Sequence, residues 1–192
     1  MSGPGGRDVL RRLPVRWLVR QLERFFALVG LAATVYWACL DESRIVSESM
    51  APTLKGTDWA SGDRVLTEKI SFWFRKPRRW EVIAIRRPED GGLIMKRVVG
   101  LPGETVQMRR NGQIVIDGQV VPPPAELAIL HYFPFGNLCT DQKAACGNGY
   151  YVLGDFSRDS DDSRFNGPVP PGNIVGRPWV ILGPAGRRGF VR

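Results

Sequence analysis

An apolar run without a charged side chain, Phe25 to Leu40, is the feature that most constrains how this chain can fold. Sixteen helical residues extend only about 24 Å, whereas the hydrocarbon core of a bilayer is roughly 30 Å thick. Apolar residues before the run, such as Trp17, Leu18 and Leu22, therefore have to complete the span, while neighbouring arginines reach back to the headgroups. The pattern predicts a transmembrane helix at residues 25–41.

The charges on either side of the run predict its orientation. Six arginines lie within the first 24 residues, and Asp41-Glu42 follows the run directly. Positive charge marks the cytoplasmic side of a membrane span, so we expect a cytoplasmic basic segment at 1–24 and an exported domain at 42–192. A cleavable secretory signal is the alternative, although Tyr36 and Trp37 are bulky where its cleavage site needs small residues.

The remaining charge suggests which partners the exported domain meets. The net charge of +8 suits acidic lipid or nucleic acid. The segment 72–80, Phe-Trp-Phe-Arg-Lys-Pro-Arg-Arg-Trp, combines aromatics and cations that cannot all face a core. It is either the end of a hairpin with half its aromatics buried or a second contact with membrane lipid. Because an exported domain rarely meets nucleic acid, we expect no nucleic-acid partner.

The three cysteines carry information because export implies an oxidising compartment. Cys139 and Cys146, separated by six residues in a polar loop, are a candidate disulfide, with a pair of free thiols as the alternative. Cys39 lies in the apolar run and has no obvious partner. The chain contains no Cys-x-x-Cys motif or histidine cluster, so we expect no metal site and no cofactor.

Beyond Asp63 the sequence predicts a largely β domain. Short β-branched runs separated by Gly, Pro and Asp indicate strands at 64–69, 80–85, 93–99, 105–110, 113–116, 119–121, 150–153 and 174–182. Asn111-Gly112 is typical of a type I′ hairpin turn, and Asp117-Gly118 predicts a second turn. The segment 122–149, rich in Pro, Gly and Asn, predicts a long irregular excursion.

Two serines just after the apolar run are candidate catalytic residues. If the chain is an enzyme, Ser49 is our candidate nucleophile, with Ser47 two residues before it. A hydroxyl needs a neighbouring base at neutral pH, most often histidine. The only histidine, His131, lies in a Pro-bounded segment without an adjacent acid, although distance along the chain does not exclude it because triads are recognised by geometry.

A lysine is the other candidate base. Lysine serves as a general base only when burial or nearby positive charge lowers its pKa. Lys96 interrupts an apolar strand and shares a face with Ile94 and Val98, so desolvation there would lower its pKa. Arg97 then points to the opposite face, where we expect it to stay in solvent. The structural alternative is a strand-edge lysine that reaches outward.

Three separated segments together resemble the bacterial type I signal peptidases, membrane-anchored serine proteases with a Ser-Lys dyad. Ser47 to Leu54 is similar to the serine box of that family, and Met95 to Glu104 is similar to its lysine box. The segment Gly154 to Arg164 is similar to its Gly-Asp…Ser-x-Asp-Ser-Arg box, and follows in the same order. Phe156, Ser157 and the pair Trp80-Glu81 depart from the common family pattern.

The resemblance implies roles for matching residues and a fold. Ser49 is the implied nucleophile, Lys96 the general base, and Ser47 an oxyanion-hole donor beside the Ser49 backbone N–H. Ser160 would hydrogen-bond Lys96 and orient it, and Asp162 and Arg164 would form a supporting ion pair. The implied fold is mainly β, an antiparallel domain of two small barrel-like sheets behind one transmembrane helix.

The resemblance also implies substrates and a location. The substrates would be preproteins with small residues before the scissile bond, bound extended along an edge strand. We expect the pocket walls in the strand after Ile83 and at Val46 to Met50. The location would be a bacterial plasma membrane, with a thylakoid membrane as the alternative. Two other functions stay open: an inactive, membrane-tethered peptide-binding β domain, and a conjugation-linked maturation peptidase of the same fold.

Overall fold

A computed structural model describes residues 15–138 and 142–192 in two compact units, 1–38 and 39–192. Helix α1, Val15–Cys39, makes up the described part of the first unit and contains no buried residue. By length and composition this helix can cross a membrane. It includes the apolar residues before position 25 that the span needs. It ends two residues before the predicted limit of 41, because Leu40 and Asp41 pair with the second strand of the next unit.

The second unit consists mainly of antiparallel sheet, which confirms the predicted fold class. Its strands are β1 Leu40–Arg44, β2 Arg64–Glu68, β3 Val82–Arg86, β4 Leu93–Gly100, β5 Thr105–Met108, β6 Ile114–Ile116, β7 Gln119–Val120, β8 Lys143–Ala145, β9 Tyr151–Leu153, β10 Ile174–Gly183 and β11 Gly189–Phe190. The larger sheet has the order β1-β2-β10-β3-β4-β9, with β11 paired to β10. The smaller sheet has the order β7-β6-β5-β8. Two short α-helices, α2 Ser71–Phe74 and α3 Ser163–Asn166, lie between strands.

All eight predicted strands are present, and three more were not predicted. The three are β1, β8 and β11, with the sequences Leu-Asp-Glu-Ser-Arg, Lys-Ala-Ala and Gly-Phe. Apart from Phe190, these residues have little β propensity of their own. Each strand exists because it pairs with a stronger neighbour: β1 with β2, β8 with β5, and β11 with β10.

Of the two turns predicted in the smaller sheet, the one at Asp117-Gly118 is present and the one at Asn111-Gly112 differs from the prediction. A type I′ turn needs positive φ at both central residues, and at Asn111-Gly112 only Gly112 has it, at 81°. Arg109 and Gln113 instead close a three-residue loop, with the Arg109 N–H donating to the Gln113 carbonyl at 2.9 Å. The two-residue turn with positive φ at both positions is Asp117-Gly118, at 49° and 84°.

Strand β4 is central because both of its faces are covered. Its last six residues, 95 to 100, are all buried. Met95 packs with Met50 and Leu54 of the serine segment, while Val99 packs into the core of the smaller sheet. The irregular excursion 122–149 completes that second core with Leu127, Leu130, Tyr132 and Leu138. The strand that carries the candidate base is thus fixed from both sides.

The aromatic segment 72–80 is partly buried. Phe72 and Trp80 pack against two different cores. Trp73 and Phe74, in contrast, are 64% and 84% exposed. Half of the aromatics are therefore partly buried and the other two lie on the surface. The segment is not the end of a hairpin, because β10 lies between β2 and β3 in the larger sheet.

Candidate active site

The serine segment and strand β4 bring Ser49 and Lys96 together. Lys96 Nζ lies 2.9 Å from Ser49 Oγ, within hydrogen-bond distance. Ser49 is placed by its neighbour Met50, which is 2% exposed and packs against Met95 beside Lys96. The Ser49 carbonyl also accepts the Phe156 N–H at 3.0 Å, which ties the serine segment to the loop after β9.

The amine of Lys96 is in an environment that favours its neutral form. The residue is only 4% exposed, although it carries an ionisable group. Desolvation by burial lowers its pKa from the ordinary value of 10.5, and the positive charge of Arg164 acts in the same direction. The carboxylates of Asp162 and Asp161 act against this by favouring the ammonium form, but burial is the larger effect. The balance suits a general base.

The other candidate base does not reach the nucleophile. The side-chain partners of Ser49 within the described residues are Lys96 and Ser47, whereas His131 is exposed on the excursion. Ser47 Oγ lies 3.2 Å from Ser49 Oγ. Ser47 is itself exposed at the mouth of the site, so its hydroxyl is free to turn towards a bound carbonyl.

The predicted hydrogen bond between Ser160 and Lys96 is not formed. Ser160 is 8% exposed, and its Oγ is buried without a hydrogen-bond partner within the described parts of the chain. Ser160 packs closely against Gly154, where an added Cβ would overlap both Ser160 Oγ and the Ser49 carbonyl oxygen. Ser160 thus packs tightly beside the serine segment without bonding the amine, and its supporting role stays a prediction.

Asp162 and Arg164 form a buried ion pair that shapes the loop after β9. Their charged atoms lie 2.8 Å apart, and both side chains are fully buried. Asp162 also accepts the backbone N–H groups of Gly154 and Arg164, which caps the start of α3. Arg164 in addition donates to the Ser157 carbonyl and the Phe133 carbonyl. The ion pair therefore ties the start of the loop, at Gly154, to its end at Arg164, and ties the loop to Phe133 of the excursion.

A second buried ion pair was missed by the sequence reasoning, and it corrects the expectation for Arg97. Arg97 is fully buried rather than in solvent, and donates two hydrogen bonds to Asp155, at 2.8 and 2.6 Å. Arg97 also bonds Thr53 at 3.1 Å, and Thr53 in turn donates to Asp155. Thr53 lies within the segment similar to the serine box, Arg97 within the segment similar to the lysine box, and Asp155 within the segment Gly154 to Arg164. The network therefore joins all three segments behind the dyad.

The cysteines are only partly described. Cys146 is a buried, free thiol, and burial raises its pKa to about 11. Cys139 lies outside the described residues, so the disulfide stays a prediction. Within the described ranges, no group of three or more His, Cys, Asp or Glu is placed to hold a metal ion.

A groove of about 390 Å³ opens in front of the dyad. Its lining includes Ser47, Ser49 and Lys96, together with Val46 and Met50 of the serine segment. The expected wall at Val46 to Met50 is therefore present. The other wall is the first half of β4, Leu93 to Lys96, because Ile83 of the expected strand is completely buried in the core.

Comparison with known proteins identifies the family. The family model described as "Signal peptidase, peptidase S26" matches residues 18–182. Signal peptidase I of Leptolyngbya laminosa is 38% identical over 153 residues, which cover 76% of this chain and 70% of that protein. Signal peptidase I V of Bacillus subtilis (strain 168) is 30% identical over 168 residues, which cover 80% of this chain and 95% of that protein.

A solved structure of the same kind is also similar. The crystal structure of a signal peptidase I from Enterococcus faecalis V583 has a TM-score of 0.43 and 31% identity, and the match covers 54% of this chain and 97% of that one. Because the family model matches well over half of the chain and includes all three boxes, this chain belongs to the signal peptidase family of serine endopeptidases, peptidase S26.

Proposed function

We propose that the chain removes signal peptides with Ser49 as nucleophile and Lys96 as general base. The observation that carries the proposal is the 2.9 Å distance between Lys96 Nζ and Ser49 Oγ, at a lysine that is 4% exposed. Neutral Lys96 takes the hydroxyl proton as Ser49 Oγ bonds to the scissile carbonyl carbon. The Ser47 hydroxyl and the Ser49 N–H then donate to the developing oxyanion.

The remaining steps return the enzyme to its starting state. The ammonium of Lys96 gives its proton to the leaving amine as the peptide C–N bond breaks, which leaves an acyl group on Ser49. Lys96, again neutral, takes a proton from the water that attacks the ester carbon. Collapse of this second intermediate releases the signal peptide as a carboxylic acid, and the proton held by Lys96 returns to Ser49 Oγ.

An extended substrate can add a strand to β4. The second half of β4, from Arg97 onward, pairs with β9, whereas Leu93 to Lys96 pair only with β3 in the described sheet. The free edge of that first half faces the groove in front of Ser49. An extended peptide laid along it would gain main-chain hydrogen bonds, with its side chains alternately entering the groove and leaving it. The resemblance to signal peptidases implies that the side chains beside the scissile bond are small.

Cleavage of a preprotein tests this function. The purified full chain in detergent is incubated with a preprotein that has Ala at the first and third positions before the scissile bond. We expect a single cut directly after the alanine that immediately precedes the scissile bond, and mass spectrometry of the mature product locates it. Trp at either position should reduce the rate about 10- to 200-fold, whereas Trp at the second position serves as the matched control. Binding without any product would instead favour the inactive peptide-binding domain.

The location follows from α1 and its charges. The apolar helix Val15–Cys39 suits a membrane anchor, and the arginines that precede its apolar part suit a cytoplasmic N-terminus. We therefore propose a single-pass protein of a bacterial plasma membrane, with residues 39–192 on the outer side. A cysteine that replaces the exposed Gly172 should react with a membrane-impermeant thiol reagent in intact cells. A cysteine that replaces Ser2 should not react.

The exposed aromatics of α2 support a second contact with lipid. Trp73 and Phe74 are adjacent and exposed, and Arg75 and Lys76 follow them directly. Aromatic rings at the headgroup level beside cations are typical of membrane-contacting surfaces. In a chain that begins at residue 39, serine at both aromatic positions should weaken binding to vesicles with anionic lipid by about tenfold. Ile129→Ser, at a site with 69% exposure, is the control, and equal losses would contradict the proposal.

A further inference from the structure

A second cavity meets the groove at Lys96. This cavity, of about 430 Å³, lies between the β3–β4 hairpin and the segment 161–173. Four residues line both spaces: Arg87, Ile94, Lys96 and Asp161. Of these, Asp161 is an exposed acid whose carboxylate faces the same two spaces as the buried amine. A charge at that junction acts on Lys96 from the solvent side.

The carboxylates around Lys96 differ in their own partners. Asp155 is paired with Arg97, and Asp162 is paired with Arg164, in both cases fully buried. Asp161 accepts the Asn166 side-chain N–H at 2.6 Å, and it forms no ion pair within residues 15–138 and 142–192. Among these three carboxylates, Asp161 is thus the one whose negative charge is not neutralised by an ion pair with arginine.

Other charged side chains also line the groove and the second cavity, on which Lys96 borders. The groove adds Arg44, Arg87 and Asp159, and the second cavity adds Arg86, Arg87, Glu89 and Asp90. Arg87 and Asp90 are paired with each other at 2.6 Å in an exposed ion pair, so their fields largely cancel. Asp159 lines the groove but not the second cavity, which makes it a natural comparison for Asp161.

We propose that Asp161 raises the lower pH limit of catalysis by stabilising the proton on Lys96. The proposal rests on the function proposed for Lys96 as general base. A carboxylate near an amine favours the ammonium form. Burial lowers the pKa of Lys96, and Asp161 acts in the opposite direction together with Asp162. Only neutral Lys96 can accept the Ser49 proton, so a carboxylate that holds the proton raises the pH at which activity begins.

The pH profile of kcat/KM tests this role, because it reports the pKa of the free enzyme. Asp161→Asn removes the charge and keeps the shape and the hydrogen-bonding oxygen. We expect the acidic limb to move to lower pH by roughly 0.3 to 1 unit. The difference from wild type should shrink at about 1 M salt, because Asp161 is exposed and its field is screened there. Asp159→Asn, an identical charge change in the groove, should move the limb clearly less.

The outcomes separate this inference from the proposed function. An acidic limb that stays in place in Asp161→Asn, or moves equally in Asp159→Asn, would overturn the role of Asp161 while leaving the dyad intact. A lower rate at every pH with an unmoved limb would indicate a structural role and would also overturn it. A wild type without any acidic limb between pH 5 and the ordinary pKa of lysine, about 10.4, would instead count against Lys96 as the base.

Discussion

Replacement of Ser49 by alanine is expected to lower kcat for preprotein cleavage by about 10⁴- to 10⁶-fold, the range known for the loss of a serine nucleophile. Lys96→Met should cause a loss of the same order, because the other side-chain partner of Ser49 among the described residues is the Ser47 hydroxyl, which is not a base at neutral pH. The double variant should be no slower than either single variant, because the two residues act as one unit. Cleavage of a fluorogenic signal peptide under single-turnover conditions measures all three.

Two controls keep this expectation falsifiable. Lys96→Arg keeps a long side chain that ends in a basic group, yet a guanidinium stays protonated and cannot act as a base. It should therefore be as inactive as Lys96→Met. Thermal unfolding should show Lys96→Met to be at least as stable as wild type, because it removes the cost of burying an amine. Substantial cleavage by Lys96→Arg, or additive losses in the double variant, would refute the dyad.

The pH dependence of the wild type follows from the same lysine. Burial holds the pKa of Lys96 below 10.5, and the neutral form is the active one. Activity should therefore rise with pH through an apparent pKa below that of free lysine and fall on acidification. Stability should also fall on acidification. The loss begins as pH falls below the pKa of Lys96 in the unfolded chain, and it is complete once pH is below the lower pKa of Lys96 in the folded chain. Lys96→Met should lack this loss.

Local sequence patterns predicted much of the fold, because strand periodicity is a local property. The runs that became β2 to β7, β9 and β10 are rich in β-branched residues and bounded by turn residues. The β1 segment Leu40–Arg44 was instead assigned partly to the apolar helix, since nothing local distinguishes it from a helix end. Its strand character comes from pairing with β2, which is a tertiary contact.

Strand alternation predicted the burial of Lys96 correctly but predicted the exposure of Arg97 wrongly. The burial expected for Lys96 made it a candidate base, and the family resemblance implied its pairing with Ser49. The structure places Lys96 Nζ 2.9 Å from Ser49 Oγ, and the roles of the two residues stay a proposal. Arg97 was placed in solvent because alternation along a strand gives opposite faces, and one face was taken to be wet. Both faces of β4 are covered here, so the opposite face is also interior. A signal for this did exist: Asp155 lies two residues after the end of β9, the strand that pairs with β4, and a buried arginine needs a carboxylate partner.

Ser160 shows a different limit of the sequence. Its position in the third box predicts a location near the dyad, and the structure places it against Gly154 and the Ser49 carbonyl. The direction of its hydroxyl depends on atoms several residues away, and no spacing rule determines a side-chain rotamer. Proximity was therefore predictable from sequence, but the hydrogen bond was not.

The buried pair of Arg97 and Asp155 gives the largest expected effect on stability. Both side chains are fully buried, and Arg97 also donates to the Trp80 carbonyl. Arg97→Met would leave Asp155 as an unpaired buried charge, which typically costs about 3 to 5 kcal/mol. For a domain of this size we expect the Tm to fall by roughly 6 to 20 °C. Differential scanning fluorimetry of the full chain in detergent measures the change.

The same substitution in an exposed pair isolates the effect of burial. Arg87→Met breaks the Arg87–Asp90 pair, whose side chains are 45% and 53% exposed, and should cost less than about 1 kcal/mol. Removing both charges, as in Arg97→Met with Asp155→Leu, should recover more than half of the lost Tm, since no buried charge is then left unpaired. If Arg97→Met lowers Tm no more than Arg87→Met does, this buried pair is not what holds the three segments together. If the double variant is instead as unstable as Arg97→Met, the cost arises from the lost packing and hydrogen bonds to Thr53 and Trp80, not from the orphaned carboxylate.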